Sequence, residues 1–374
     1  MRRLVWVLFF FIALLPAAAE ASPPSKWVSA ELPMRPSAEH HHAVVPLEAP
    51  SKEHPLGTVA IIGRDHIYAS EIDDNEYVLW AYAWDLAAKR VIAKKRLGRM
   101  DSQGTVVSAV RAGDRILVAA GSNYEDPLTE VVLFTLDEAL DVVSREPLGK
   151  GIRPSLAVSG AWIVAGFFEH RTTDLVAVNP KATRPPPQLS LAFHAVVLDR
   201  ASHIVAGARV FQGQRLLFPD SHPRFSMRAI ALRDGRAYLS LPGLAEATIV
   251  AVKLPSLVQL KTRLLDGFQA PSGSAPIFSV DRNVVVVTPQ GWRVLSPELE
   301  NIALVPVTGY SMEWNPRRAT LLESAPNSTR AVPWHVVHSE DCDQVLWAWD
   351  RPVAMCEGVE DENVGEPMRI FYRP

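Results

Sequence analysis

Two cysteines in 374 residues are too few for a disulfide framework, and without C-x-x-C spacing they exclude a structural zinc site built from cysteine pairs. No apolar run approaches the roughly 20 residues that a membrane-crossing helix needs. Lys and Arg, 38 against 41 acids, form no basic run, so the electrostatic footprint of a nucleic-acid binder is missing. No window longer than about ten residues keeps a helical apolar stripe, which predicts very low helix content. Also lacking are G-x-S-x-G, H-E-x-x-H, G-x-G-x-x-G, the phosphate-binding G-x-x-x-x-G-K-S/T and the haem-attaching C-x-x-C-H. These absences remove reactions that leave a linear signature. They leave open an enzyme whose site is assembled from single residues on separate elements.

The N-terminus has its own pattern. Arg2 and Arg3 precede an apolar run from Leu4 to Leu15, then Pro16 and the small residues Ala17, Ala18 and Ala19. This predicts a secretory signal peptide over residues 1–21, cleaved after Ala21, with an uncleaved anchor as the alternative. Cleavage removes Arg2, Arg3 and Glu20, a net +1, and takes the formal charge from −3 to −4. The mature chain is expected to be exported, periplasmic or extracellular, soluble and monomeric. Residues 22–55, with Pro23, Pro24, Pro33 and Pro36, read as a tether, and residues 56–374 as one domain. In an exported chain Cys342 and Cys356 read as one disulfide. The strand from Gln344 turns at Asp350-Arg351-Pro352 and returns to Cys356, and closing such a loop is worth roughly 3 kcal/mol.

Seven segments end a Val- and Leu-rich strand on a turn residue: VLWAYAWD from Val78, VVLFTLD from Val131, DLVAVNP from Asp174, QRLLFPD from Gln214, TIVAVKLP from Thr248, GWRVLSP from Gly291 and QVLWAWD from Gln344. Their starts lie 53, 43, 40, 34, 43 and 53 residues apart. A period of this size fits one four-stranded blade per repeat, whose apolar faces are buried only against neighbouring blades. Tight turns recur just before a second apolar strand, at Gly63-Arg64-Asp65, Gly113-Asp114, Ser159-Gly160, Asp199-Arg200, Asp234-Gly235, Asp281-Arg282-Asn283 and Asn315-Pro316. The expectation is an all-β, antiparallel β-propeller of seven blades. Six is the alternative, because the fourth repeat is short and Asp220-Ser221-His222-Pro223 makes a poor outer strand. Either Ala43–Leu47 or Arg369–Tyr372 would add the edge strand that closes the ring.

At Trp84-Asp85-Leu86 with Lys89, and again at Trp349-Asp350, the chain resembles WD40-like and quinoprotein-like repeats of secreted bacterial propellers. In those families Trp-Asp closes the third strand. The Gly-His element of WD40 repeats is missing here, and such folds serve diverse functions, so the resemblance implies no particular activity.

Loops joining second to third strands should gather on one face. The candidates there are Asp73, Asp74 and Glu76 from blade one, Tyr124, Glu125 and Asp126 from blade two, Glu169 and His170 from blade three, and Trp334, His335 and His338 from an insertion in blade seven spanning residues 324–343. Trp334 falls off the strand pattern and is the leading contact residue. His335 and His338 are the weak candidates for a metal. The adjacent His40, His41 and His42 read as a solvated tail. No cofactor is expected, with Ca²⁺ as the exception that oxygen-rich loops would allow. The functional expectation is a binding or scaffold module for a protein or envelope polymer, without nucleic acid and without catalysis. The alternative is a propeller enzyme, a metal-dependent hydrolase or quinone-dependent oxidoreductase, with its site at the central channel. A purely structural envelope protein is a third reading.

Overall fold

A computed structural model describes residues 28–31, 42–64, 78–100, 105–122, 129–173, 188–217, 229–241, 247–265, 275, 277–280, 283–288, 291–305, 320–323, 335–339, 344–348, 351–356 and 369–372. No helix occurs among them. After β1 (Val28–Glu31), the first blade runs β2 (Ala43–Glu48), β3 (Thr58–Arg64), β4 (Val78–Asp85) and β5 (Arg90–Arg99). The second is β6 (Thr105–Ala112), β7 (Arg115–Ser122), β8 (Glu130–Leu136) and β9 (Val142–Lys150). The third is β10 (Ile152–Ser159), β11 (Trp162–Thr173), β12 (Gln188–Leu198) and β13 (Ile204–Leu217). Two shorter blades follow: β14 (Ile230–Arg233), β15 (Arg236–Leu241), β16 (Ala247–Lys253) and β17 (Val258–Leu265), then β18 (Ile277–Val280), β19 (Asn283–Thr288), β20 (Gly291–Leu295) and β21 (Asn301–Val305). In all five, consecutive strands pair antiparallel. One parallel pair, Ile152 with Ser122, links blades two and three.

The chain continues as a two-stranded hairpin, β22 (Thr320–Glu323) with β23 (His335–Ser339), then β24 (Gln344–Ala348), β25 (Arg351–Cys356) and β26 (Arg369–Tyr372). β24 pairs with β25, β25 with β26, and β26 with β1. Residues from both ends of the chain therefore share one sheet. Of the two expected closing segments, Arg369–Tyr372 joins this sheet, but between β25 and β1, so that Val28–Glu31 takes the edge. Ala43–Glu48 instead forms the first strand of blade one, registered Ala43 to Ile62. The proline-rich stretch thus contributes two strands. His42 is buried rather than part of a solvated tail, because its ring lies where a Cβ on Gly63 would sit, 2.0 Å from Cδ2.

Burial explains the order within a blade. First strands are covered almost throughout, as in β6, whereas β5 alternates between exposed and partly buried positions. The first strand is innermost and the fourth is the outer edge. Each sheet has two apolar faces and covers neither alone: one cluster joins β3, β4, β6, β7 and β8, and another joins β11, β12, β15 and β16. Polar contacts cross the same joints. Arg111 donates to the carbonyls of Pro46 and Leu47, and Arg263 to Leu299 O at 2.8 Å. Arg236 and Tyr238 both donate to Pro297 O at 3.0 Å.

In blades two, three and five the residue following or ending the third strand builds the turn into the outer strand. Asp137 Oδ1 accepts from the N–H groups of Ala139 and Asp141 at 3.0 and 2.9 Å. Asp199 Oδ1 does the same with Ala201 and His203 at 2.8 and 3.0 Å, and Ser296 Oγ with Glu298 and Glu300 at 3.2 and 3.1 Å. In each turn the residue three positions on has positive φ: Leu140 at 65°, Ser202 at 68°, Leu299 at 60°. Such side chains supply locally the acceptor that a tight turn needs.

This turn corrects the repeat assignment in the middle of the chain. Asp199, read from sequence as the entrance to a second strand, closes a third strand as Asp137 does. The segment from Gln214 is the end of outer strand β13, and that from Asp174 lies outside the described residues. Residues 152–217 are therefore one blade of long strands. In blade one, Gly63 and Arg64 lie inside β3 and form no turn.

Two outcomes follow. Gly166→Ala would place a methyl 2.3 Å from the Phe193 ring and 2.9 Å from Ile230, and chemical denaturation should show a loss of about 1–3 kcal/mol. The Asp85 carboxyl is held below its ordinary value, first by the Ala88 N–H and also by His54. A depressed folded-state value gives stability that is complete above the unfolded value near 3.8 and lost as pH falls through the folded one. At pH 7 Asp85→Asn should be about 1–3 kcal/mol less stable than the parent, and denaturation curves below pH 4 should bring the two together.

Candidate functional site

Blade three departs from its neighbours. Its inner strand begins pairing at Ile152 with Phe168, yet β11 and β12 stay paired through Glu169–Ala192 to Thr173–Gln188. β13 keeps pace, from Gln212 opposite Ala192 to Leu217 opposite Gln188. At about 3.3 Å per residue, the five further pairs carry three strands roughly 16 Å beyond the start of the inner strand. This extension points the way of the second-to-third strand connections, the face that the sequence marks for binding.

Aromatic packing fixes its base. Phe167, Phe168 and Phe193 are fully buried, and Phe168 meets Phe193 edge-on with centroids 5.0 Å apart. Phe167 stacks on the His194 imidazole at 5.0 Å and 6°. The end of β9 and the linker after it pass close to Phe167. A Cβ on Gly149 or Gly151 would come within 2.7 or 2.5 Å of that ring, so glycine is what lets the linker approach. His194 Nε2 lies 2.6 Å from Glu169 Oε2, with side chains only 15% and 12% exposed. A carboxylate and an imidazole this close are hydrogen-bonded, which keeps a largely buried polar pair satisfied.

A second imidazole sits near the opposite end of the strands. His54 Nδ1 is 2.7 Å from Asp85 Oδ2, and its Nε2 is 3.6 Å from Glu48. Asp85 Oδ1 meanwhile accepts from the Ala87 and Ala88 N–H groups at 2.9 and 2.8 Å. Asp199 is likewise held below the ordinary carboxylate value, first by the His203 N–H. These carboxylates are committed to turn construction. On blade one Lys94 Nζ lies 4.1 Å above the Trp80 ring, and Trp84 is buried as expected of a packing residue.

Of the residues singled out from sequence, Glu169 is in the site. Its partner is His194, which the sequence reading missed; His170 occupies the next position of β11, paired with Leu191. His335 and His338 lie in strand β23, His335 opposite Glu323, so this part of the expected loop is a strand. Cys356 ends β25, which pairs with β24 from Ala348–Arg351 onward, so Arg351 and Pro352, expected in the turn, are strand residues, and Asp350 lies outside the described residues. Asp73, Asp74, Glu76, Tyr124, Glu125, Asp126, Trp334 and Cys342 lie outside the described residues. Among the described residues no three His, Cys, Asp or Glu side chains converge to hold a metal.

Comparison with known protein families and with curated proteins gives no match. Among solved structures, the chain is similar to the Dos1 propeller at TM-score 0.43 and 9% identity, over 93% of this chain and 94% of that one. It is similar to the WD40 domain of Neurospora crassa Pan2 at TM-score 0.33 and 13% identity, over 65% and 58%. A Bacteroides caccae protein of unknown function matches at TM-score 0.37 and 10% identity, over 74% and 85%. The fold is a β-propeller. Likeness at this level carries nothing about what the chain does.

The Glu169–His194 pair should be coupled. In a double-mutant cycle with Glu169→Gln and His194→Gln, denaturation should give a coupling of about 1–3 kcal/mol, with the double variant losing less than the sum of the singles.

Proposed function

We propose that the chain is an exported propeller that acts as a binding or scaffold module for a protein or envelope polymer, and that it does so through the extension of blade three. The observation carrying this reading is the set of three strands continuing beyond Phe168, braced at their base by Phe167, His194 and Glu169. A binding element needs preorganisation to avoid the entropic cost of ordering on contact. A buried aromatic base with a satisfied polar pair supplies it. The composition of the innermost strands supports binding over catalysis. In the five four-stranded blades the charged residues of these strands, Glu48, Arg111, Arg153 and Arg233, fall at or near strand ends, and the middles are apolar apart from serine. Among the described residues no helix is long and apolar enough to cross a membrane.

The test shortens the connection between β11 and β12. Replacing residues 174–187 with Asn-Gly, which suits a two-residue hairpin between Thr173 and Gln188, should leave the melting temperature unchanged. The variant should no longer capture the envelope component that the immobilised parent protein retains and that purified component should bind the parent directly. Equal capture by both would refute the assignment to blade three.

A further inference from the structure

Beside the Glu169–His194 pair, where Val210 is registered opposite His194, the outer strand of blade three and the outer half of blade four enclose a second recess, a cavity of about 280 Å³. Phe211, Leu241 and Val250 form its apolar floor, and Arg209, Thr248 and Thr262 its rim. Register explains the grouping: Leu241 is opposite Thr248, Thr248 opposite Leu264, and Val250 opposite Thr262, so these residues share one face of the sheet. Val210 and Gln259 complete the lining, and Val210 is 44% exposed. Arg209 is the one charged residue in the lining. Its guanidinium lies 5.3 Å from the Phe211 ring and donates to the Leu257 carbonyl, which fixes the head over the cavity. A guanidinium has five N–H donors in a planar fork, a match for a carboxylate.

We propose that this cleft binds a small aliphatic carboxylate, its chain on Phe211, Leu241 and Val250 and its anionic end on Arg209. A cation would meet Arg209 without any carboxylate in the lining to offset it. A wholly apolar molecule would cover the guanidinium and leave its donors unmade, which costs more than the apolar contact returns. The volume suits one short chain with its carboxylate, at the lower end of the roughly 300–1,000 Å³ of small-molecule pockets. A free short-chain acid and the C-terminal residue of a polypeptide present the same chemistry.

The experiment titrates hexanoate, N-acetyl-leucine and hexanol into the mature protein, followed by NMR shifts. Saturable hexanoate binding in the millimolar range is expected, at least about tenfold tighter than hexanol. Arg209→Gln should weaken hexanoate at least about tenfold, and Thr262→Phe, a change at an exposed position that fills the cleft, should abolish binding with an unchanged melting temperature. Tighter N-acetyl-leucine would identify a polypeptide C-terminus as the occupant, and tighter hexanoate a free acid. No saturation by either acid on the order of 10 mM, equal affinity for hexanol, or affinity unchanged in both variants would overturn the proposal. None of these results depends on the blade-three capture experiment.

Discussion

A four-stranded sheet with apolar residues on both faces is not a stable object in water, and every other feature of this chain depends on that constraint. One face of the first blade is hidden only once the second is beside it, and the apolar cluster of blade three runs without interruption into blade four. Apolar burial supplies the attraction between blades but does not fix how they sit, because it is non-directional. Direction comes from groups crossing each joint. Arg209 and Arg263, on the outer strands of blades three and four, each donate to the carbonyl of the positive-φ residue in the next blade's turn, Leu257 and Leu299. The same turn that folds one blade back on itself therefore serves as the socket for its neighbour.

Blade three shows what the arrangement makes available. Once its lower half is held between blades two and four, strands β11 to β13 extend past the inner strand. The cost is a base that must exclude water on one side and meet it on the other. Three phenylalanines, two glycines in the adjoining linker and the Glu169–His194 pair divide that task. Function in such folds lies in what is grafted on the ring, and here the graft is a continuation of the blade's own strands.

Much of the architecture was legible because its signals are local. The Asp137 and Ser296 turns close over five residues, so the chemistry that ends a third strand is visible in the sequence at each repeat. The same locality misled at Asp199, since an Asp before a tight turn looks alike whether it leads into a second strand or out of a third. Ala43–Glu48 was legible as a strand but not in its place. It becomes the inner strand of blade one only because Ile61 and Ile62 lie opposite. In the site, Glu169 could be named as a polar residue near a connection, but not its partner. His194 is 25 residues away, and only the register of β11 with β12 brings the two side chains together.

By itself the sequence determined the unit: antiparallel strands in fours, joined by Asp- and Ser-built turns, with apolar residues on both faces that require neighbours. Those properties follow from side-chain alternation and from hydrogen bonds a few residues long. Tertiary structure alone decided which strands count as one blade, that the N-terminal Val28–Glu31 would pair with Arg369–Tyr372, and which carboxylate would meet which histidine. These are choices of register between distant segments. A shift of one residue turns every side chain to the other face, and the choice is made only where both faces are packed at once.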